Sequence, residues 1–329
     1  MAQNVLVVGV GSIGERHLRC FQQVGCRVAL VEVDDARRKD VAGRYSLEQA
    51  FASLEPAAAQ AWDAAVICTP ANLHVEHALK LLDRTPALLI EKPLATRLED
   101  ARRLQKAAAG KTVQIAYVLR GHPAVQAVRE EIRSGRLGKL LEVVVTSGQH
   151  FPTFRPAYRQ IYYTRRETGG GAVQDAATHL FDLSQYVAGR FDWVFCDFAH
   201  QALEGVEVED TVHAVARADG GKVLVSVSLN QFMAPNETVA RFNGSQGTAE
   251  IRFHEARWGV FYHGDEAWKW GEPLVQERDD LFRLQARRFL DASAGKGEIL
   301  CTLDEALHTL AINLAALESN GARQVPIVA

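Results

Sequence analysis

Apolar positions along this chain follow two rhythms. Over the first third they come as short unbroken runs: Val5-Leu6-Val7-Val8, then CRVALVEVD (26–34), AAVICTP (64–70), ALLIEKP (87–93) and TVQIAYV (112–118). Runs of this length suit strands buried on both faces. Helical stretches separate them, at residues 15–23, 74–82 and 98–109, and the Ala-rich EPAAAQAWDAA reads as a helix end and loop. Strands alternating with helices predict an α/β domain with a doubly wound parallel sheet over residues 1–120. Beyond it the pattern changes. A helix is predicted over 124–134, then a strand in LGKLLEVVVTSG, a long polar loop rich in Arg and Tyr, and a helix led by three glycines. Residues 208–230 read as a hairpin turning at Asp219-Gly220-Gly221, and 239–253 as a second strand pair. Consecutive hairpins predict an α+β domain with a mainly antiparallel open sheet over 121–329. Two helices close the chain. The last, about 303–320, opens on the capping box Thr302-Leu303-Asp304-Glu305 and is expected to pack back on the first domain.

Composition narrows the function classes. With 329 residues, 47% of them hydrophobic, there is core enough for two domains. A net charge of −3 argues against a nucleic-acid binder, and no apolar run approaches the roughly 18 residues of a membrane span. The five cysteines (20, 26, 68, 196, 301) form no CxxC pair and are odd in number. With an N-terminus that lacks a cationic start, they lead us to expect reduced thiols and a cytoplasmic protein. No metal site is expected, since the histidines lack ligand spacing.

The first apolar run leads into Gly9-Val10-Gly11-Ser12-Ile13-Gly14, and ERHLRCFQQ follows as a helix. GxGxxG alone is weak. Strand, glycine turn and helix in this order are the Rossmann fingerprint, in which a helix N-terminus, here Ser12, Ile13 and Gly14, receives a pyrophosphate. Glu32 stands at the end of the next strand, 18 residues after Gly14. An acid there accepts hydrogen bonds from ribose hydroxyls and repels a 2′-phosphate, which favours NAD over NADP. Arg37 and Arg38 follow and keep NADP open. Later strand ends deliver more polar groups to the same edge: Thr69, Pro70, Asn72 and His74, then Glu91 and Lys92, then Arg120 and His122. The first two sets are expected beside the cofactor. Arg120 and His122 are candidates for substrate contact, or for packing at a domain junction.

GGGAVQDAATHLFD (169–182) places Asp175, His179 and Asp182 at helical spacing i, i+4, i+7, on one face. His179 is the candidate acid–base group and Asp175 its neighbour on that face, whereas Asp182 reads as a structural cap or pair. The glycines are expected to let backbone pass close to a bound ligand. In the preceding loop Arg155, Arg159, Tyr163 and Arg166 are candidates to grip a carboxylate or phosphate.

Taken in order, VGVGSIGERH, CTPANLH, EKPLA, RGHPAV, SGRLGK, GGGAVQDAATH and FNGSQGTAEI resemble the glucose–fructose oxidoreductase/inositol dehydrogenase (Gfo/Idh/MocA) family over essentially the whole chain. The resemblance implies NAD(P)-dependent oxidation or reduction of a sugar, polyol or sugar acid. It also implies a homodimer or homotetramer formed through the open sheet. Lys92 matches the lysine of the family's EKP motif, which contacts substrate and nicotinamide, and Asp175 and His179 match its acid–base pair, brought toward Lys92 from the other domain. Ala177 stands where members often have glycine. The arginine-rich loop looks like that of members acting on acidic or nucleotide-linked sugars. Two alternatives stay open: a dinucleotide-binding regulatory protein without activity, and a glycosidase that retains NAD through turnover.

Overall fold

The computed structural model describes residues 2–329 and divides into two compact units. One comprises the chain up to Val118 together with Glu277–Leu307; the other comprises Leu119–Gln276 and His308–Ala329. A single cut near residue 120 leaves out this return of the chain.

In the first unit six strands lie parallel: β1 (Asn4–Val8), β2 (Arg27–Val31), β3 (Ala50–Phe51), β4 (Ala64–Ile67), β5 (Ala87–Ile90) and β6 (Thr112–Ile115). Their order, β3-β2-β1-β4-β5-β6, reverses direction between β1 and β4. Ligands of such sheets lie beyond the strands' carboxyl ends at that reversal. Every residue of β4 and β5 is buried, which is why these strands read as unbroken apolar runs. The Ser12–Gln23 helix buries Gly14, His17, Leu18 and Phe21, a single i, i+3, i+4, i+7 face. The returning helix Asp280–Ser293 lays Ala286, Phe289 and Leu290 against this core, with Phe289 edge-on to Phe21 at 6.3 Å between ring centroids. Arg19 Nε donates to Asp279 at 2.8 Å at the start of the same contact. Residues 300–302 then bond along the free edge of β6: Ile115 N–H donates to Cys301 O at 3.1 Å, and Leu300 N–H to Gln114 Oε1 at 3.0 Å. Covering an edge in this way removes a template for unwanted strand addition.

The second unit is built on a nine-stranded sheet. Its strands are β7 (Leu140–Gly148), β8 (Phe191–Ala199), β9 (Thr211–Ala218), β10 (Val223–Asn230), β11 (Glu237–Gly244), β12 (Gly247–Arg252), β13 (Arg257–Tyr262), β14 (Lys269–Trp270) and β15 (Val325–Pro326). They run in the order β14-β13-β12-β11-β7-β10-β9-β8-β15, antiparallel throughout except for β7 beside β10. The expected hairpin β9–β10 turns at Asp219, Gly220 and Gly221, all at positive φ. Alternation is clean: Val212, Ala214, Ala216 and Ala218 of β9 and Val223, Val225, Val227 and Leu229 of β10 are buried, while Val215 and Leu224 look outward. The capping box forms at the last helix, Leu303–Ser319, where Thr302 N–H donates to Glu305 Oε2 at 2.8 Å and Glu305 N–H to Thr302 Oγ1 at 3.2 Å. From His308 onward this helix bonds within the second unit, for example Asn313 Nδ2 to Thr178 Oγ1 at 2.8 Å.

A buried ion pair crosses the core of the second unit. Arg120, fully buried, donates from Nε and Nη2 to the two oxygens of Asp182 at 2.9 and 2.8 Å. Thr309 Oγ1 adds a hydrogen bond to Asp182 at 3.1 Å, and the guanidinium lies over the Tyr186 ring. Removing one partner strands the other charge out of water. Asp182→Ala is therefore expected to destabilise the protein by about 3–5 kcal/mol, whereas the double change Arg120→Met with Asp182→Leu costs less than either single change. Denaturant midpoints of the three variants check this.

Candidate active site

The carboxyl ends of the parallel strands supply the first cluster. After β1, Gly9 (φ +84°) turns the chain back, its N–H donating to Val31 O at 2.8 Å. A Cβ on Gly14 would stand 1.9 Å from Gly9 O, so the turn and the helix touch there. At Gly11 a Cβ would meet nothing within 4 Å. Gly11 is also the N-cap, without a side-chain cap, and Glu15 is the residue whose N–H bonds back to it, at 2.9 Å. The first-turn N–H groups of Ser12, Ile13 and Gly14 lie at the positive end of a helix dipole, a cradle that fits a pyrophosphate.

Glu32 ends β2 as expected, but its carboxylate also holds the glycine turn. Oε2 accepts Val10 N–H and Oε1 accepts Asp34 N–H, both at 3.0 Å. Of the two arginines that kept NADP open, Arg38 donates to Glu32 O at 3.0 Å and pairs with Asp35, while Arg37 lies 3.5 Å from Glu32 Oε1.

Beyond β4 and β5 the candidates separate. Thr69 and His77 share a hydrogen bond at 3.1 Å, Pro70 and Asn72 are exposed, and His74 is buried. Both ring nitrogens of His74 meet carbonyls, Nδ1 with Pro93 O at 3.0 Å and Nε2 with Thr69 O at 2.7 Å. His74 thereby joins two strand-end loops, and burial holds its pKa below the usual histidine value despite those carbonyls. The Lys92–Pro93 peptide is cis, and Lys92 is half-buried. Glu91 is buried; its Oε1 lies 2.7 Å from His17 Nε2 and its Oε2 accepts Lys92 N–H at 3.1 Å. Burial pushes the Glu91 carboxyl up, but the His17 bond and the charges and N–H around it outweigh that and leave it below the ordinary glutamate value. His17 is a residue that sequence reasoning missed. As a polar side chain on the apolar face of its helix it was visible there.

In the second unit a π-helical turn, Val173–Ala177, runs into the α-helix Thr178–Ala188. Such turns occur often at functional sites. Asp175, only 1% exposed, receives Arg155 Nη1 on Oδ2 at 2.9 Å and Tyr162 Oη on Oδ1 at 2.6 Å. His179 follows one turn later and is half-buried. Tyr162 was not among the expected residues; its neighbour Tyr163 was, and here the structure corrects the reading. Tyr163 is buried among Phe151 and Tyr158 and donates to Gln231 Oε1 and Glu209 O, and burial pushes its phenol far up. The two tyrosines share the single 3-10 turn Tyr162–Thr164, too short for its sequence pattern to tell them apart.

The other loop arginines hold the loop itself. Arg159 Nε donates to Glu204 O at 2.8 Å, and Arg166 Nε to Glu209 Oε2 at 3.0 Å. Glu209 explains the glycines as well. A Cβ on Gly170 would stand 2.2 Å from Tyr163 O, and one on Gly171 2.4 Å from Glu209 Oε1. Gly170 and Gly171 make room for this loop and for a buried carboxylate, a cause the sequence did not disclose. Arg120 is committed to Asp182, which plays the structural part expected of it. His122 caps the Pro123–Arg133 helix, Nδ1 accepting Ala124 N–H at 3.1 Å. Among the described residues no cluster of His, Cys, Asp or Glu could hold a metal ion, and no helix is long and apolar enough to cross a membrane.

The family model "Oxidoreductase family, NAD-binding Rossmann fold" matches residues 3–118, and "GFO/IDH/MocA C-terminal domain" matches 125–250. The chain belongs to the Gfo/Idh/MocA family. Its first unit is an NAD-binding Rossmann domain of that family. It is 28% identical over 323 residues to the rhizopine catabolism protein MocA of Rhizobium meliloti, covering 95% of this chain and 93% of that one. It is 27% identical to an inositol 2-dehydrogenase of Corynebacterium glutamicum (strain R), covering 84% and 79%. Levoglucosan dehydrogenase in complex with NADH has the same fold, with a TM-score of 0.90 at 20% identity and full coverage of both chains. The WlbA dehydrogenase of Bordetella pertussis, in complex with NADH and UDP-GlcNAcA, superposes with a TM-score of 0.86 at 24% identity, covering 100% of this chain and 98% of that one.

Burial lowers the His122 pKa to about 4, against roughly 6.5 in an unfolded chain. The unfolded state therefore binds the proton first as pH falls. Stability that is fully present above about pH 6.5 drains away toward pH 4, and at pH 5 the loss is about 2 kcal/mol. Denaturant unfolding at pH 7 and pH 5 should show that much more acid sensitivity in the wild type than in His122→Asn, which keeps a capping side chain.

Proposed function

We propose that this protein is an NAD-dependent dehydrogenase or reductase that acts on a secondary alcohol or the matching ketone of a sugar, polyol or sugar acid. The observation that carries the reading is the buried Asp175 carboxylate, gripped by Arg155 and Tyr162, one turn from the half-buried His179. A lone Asp and His on a helix need no such support. Two donors from a separate loop fix the carboxylate to a defined position, as proton transfer chemistry requires. Inositol and levoglucosan dehydrogenases among the relatives support the substrate class.

Oxidation of a secondary alcohol removes a proton from oxygen and a hydride from the same carbon. Gly9, Gly11, Ser12, Ile13, Gly14 and Glu32 would hold NAD, whose nicotinamide would accept the hydride. His179 takes the hydroxyl proton and returns it in the reverse direction. Since its Nδ1 is buried, Nε2 is the nitrogen assigned to that transfer. Asp175 is a fixed hydrogen-bond acceptor for the imidazole or a neighbouring substrate hydroxyl. Lys92 supplies positive charge where the alkoxide develops, a contribution of several kcal/mol in a dry site. Arg155, half-exposed beside Asp175, is suited to a substrate carboxylate, in keeping with the UDP-GlcNAcA complex of WlbA. The outward face of the β9–β10 ribbon, with Val215 and Leu224 exposed, suits burial against a second copy in a homodimer or homotetramer.

NADH should quench the tryptophan fluorescence at lower concentration than NADPH; equal or reversed affinities would remove the argument from Glu32. In a panel of sugars, inositols and sugar acids followed by nicotinamide absorbance, at least one should be oxidised. His179→Ala should then lose turnover by roughly 100-fold or more while binding NADH as the wild type does. Near-wild-type turnover in that variant would refute its role in proton transfer.

A further inference from the structure

We infer that His17 is a positioning residue for Lys92, acting through Glu91; the inference deepens the role given to Lys92 above and rests on it. One carboxylate spans the two. Glu91 Oε1 accepts His17 Nε2–H at 2.7 Å, and Oε2 accepts the backbone N–H of Lys92 at 3.1 Å. On the far side of the lysine, Pro93 O lies 3.0 Å from His74 Nδ1. The backbone at the root of the Lys92 side chain is therefore held by Glu91, itself bonded to His17, on one side, and lies against the buried His74 on the other.

The setting shows that this is no ordinary strand end. Ile90 before the motif and Leu94 and Ala95 after it are buried and apolar. A carboxylate placed among them is destabilising unless it is answered. His17 answers it from a core position of the Ser12–Gln23 helix, on the face shared with Gly14, Leu18 and Phe21. Apart from the Glu91 bond, the ring makes an edge contact with Phe282 at 5.3 Å, and among the described residues its Nδ1 has no hydrogen-bond partner. The ring is placed for the Glu91 bond alone. Because Glu91 is the ionised partner, Nε2 carries the proton. A long, flexible ammonium stabilises a developing charge only where its root is fixed to within a fraction of an ångström. His17 sits on the helix whose N-terminus fits the pyrophosphate, so Lys92 takes its position from the same rigid element as the dinucleotide.

The test compares His17→Leu, His17→Gln, Glu91→Gln and Lys92→Ala in the full-length protein. Turnover of a substrate found in the panel and NADH affinity would be measured for each, and the rate at which acetic anhydride acetylates Lys92 for the wild type and the three variants that keep the lysine, with exposed Lys39 as the internal reference. His17→Leu should lower kcat by roughly 10- to 100-fold and leave KM and NADH affinity within about twofold. It should also change the acetylation of Lys92 at least about threefold relative to Lys39, as expected for a freed side chain. His17→Gln, which keeps a donor, should recover most of both, and Glu91→Gln should behave like His17→Leu. Wild-type kcat and unchanged Lys92 acetylation in either His17→Leu or Glu91→Gln would overturn the inference, so a folding defect in one variant leaves the other to decide. Full turnover by Lys92→Ala would instead overturn the role of Lys92, and acetylation would still decide whether His17 positions it.

Discussion

Burying a carboxylate is the constraint on which the local architecture turns. Glu91, Asp175, Asp182 and Glu209 are all nine-tenths or more buried, and each would cost several kcal/mol if left unanswered. Each answer ties together separate elements of the chain. His17 and Lys92 meet on Glu91, Arg155 and Tyr162 on Asp175, Arg120 and Thr309 on Asp182. Glu209 receives the Val173 N–H and Arg166 and so pins the glycine turn to the loop that precedes it. A hydrophobic contact tolerates sliding; a paired buried charge does not. The two candidate chemical groups, Lys92 and His179, each stand beside one of these fixed points.

The same pairing gives the arginine-rich loop its shape. Sequence alone presents Arg155, Arg159 and Arg166 as equivalent cations. In the structure each has a different carboxylate or carbonyl: Asp175, Glu204 and Glu209. The first couples the loop through Asp175 to the turn that leads into the helix carrying His179, and Arg166 reaches the start of that turn through Glu209. Phe151, Tyr158 and Tyr163 then form a small separate core beneath the loop with Leu203, Val206 and Val208. That core orders a segment built of four short helical turns.

What could be read in the sequence follows from physical redundancy. Parallel strands buried on both faces must be apolar throughout, so β1, β4, β5 and β6 were legible, as was the glycine turn after β1. Alternation over eight residues likewise disclosed β9 and β10. Two-residue strands such as β3, β14 and β15 carry no period and were invisible. The apolar stripe Ala286, Phe289 and Leu290 announces a helix with something to cover but not which core it covers. At the candidate site, helical spacing placed Asp175 and His179 a turn apart, but it did not disclose the π-helical turn Val173–Ala177 that carries Asp175. Tyr162 stayed hidden beside Tyr163, and the contacts that Gly170 and Gly171 make with Tyr163 and Glu209 stayed hidden too, because both depend on which segment of chain packs against them.

The return of the chain to its first unit bears on how the protein is made. Leu18 and Phe21 belong to a helix that leaves the ribosome early, yet Phe289, which packs against Phe21, is translated some 270 residues later. At roughly 5–20 residues per second, that apolar surface waits on the order of tens of seconds for its cover. The nascent dinucleotide-binding domain must therefore be tolerated half-clothed, and the polypeptide cannot finish its first core until it has nearly finished its second.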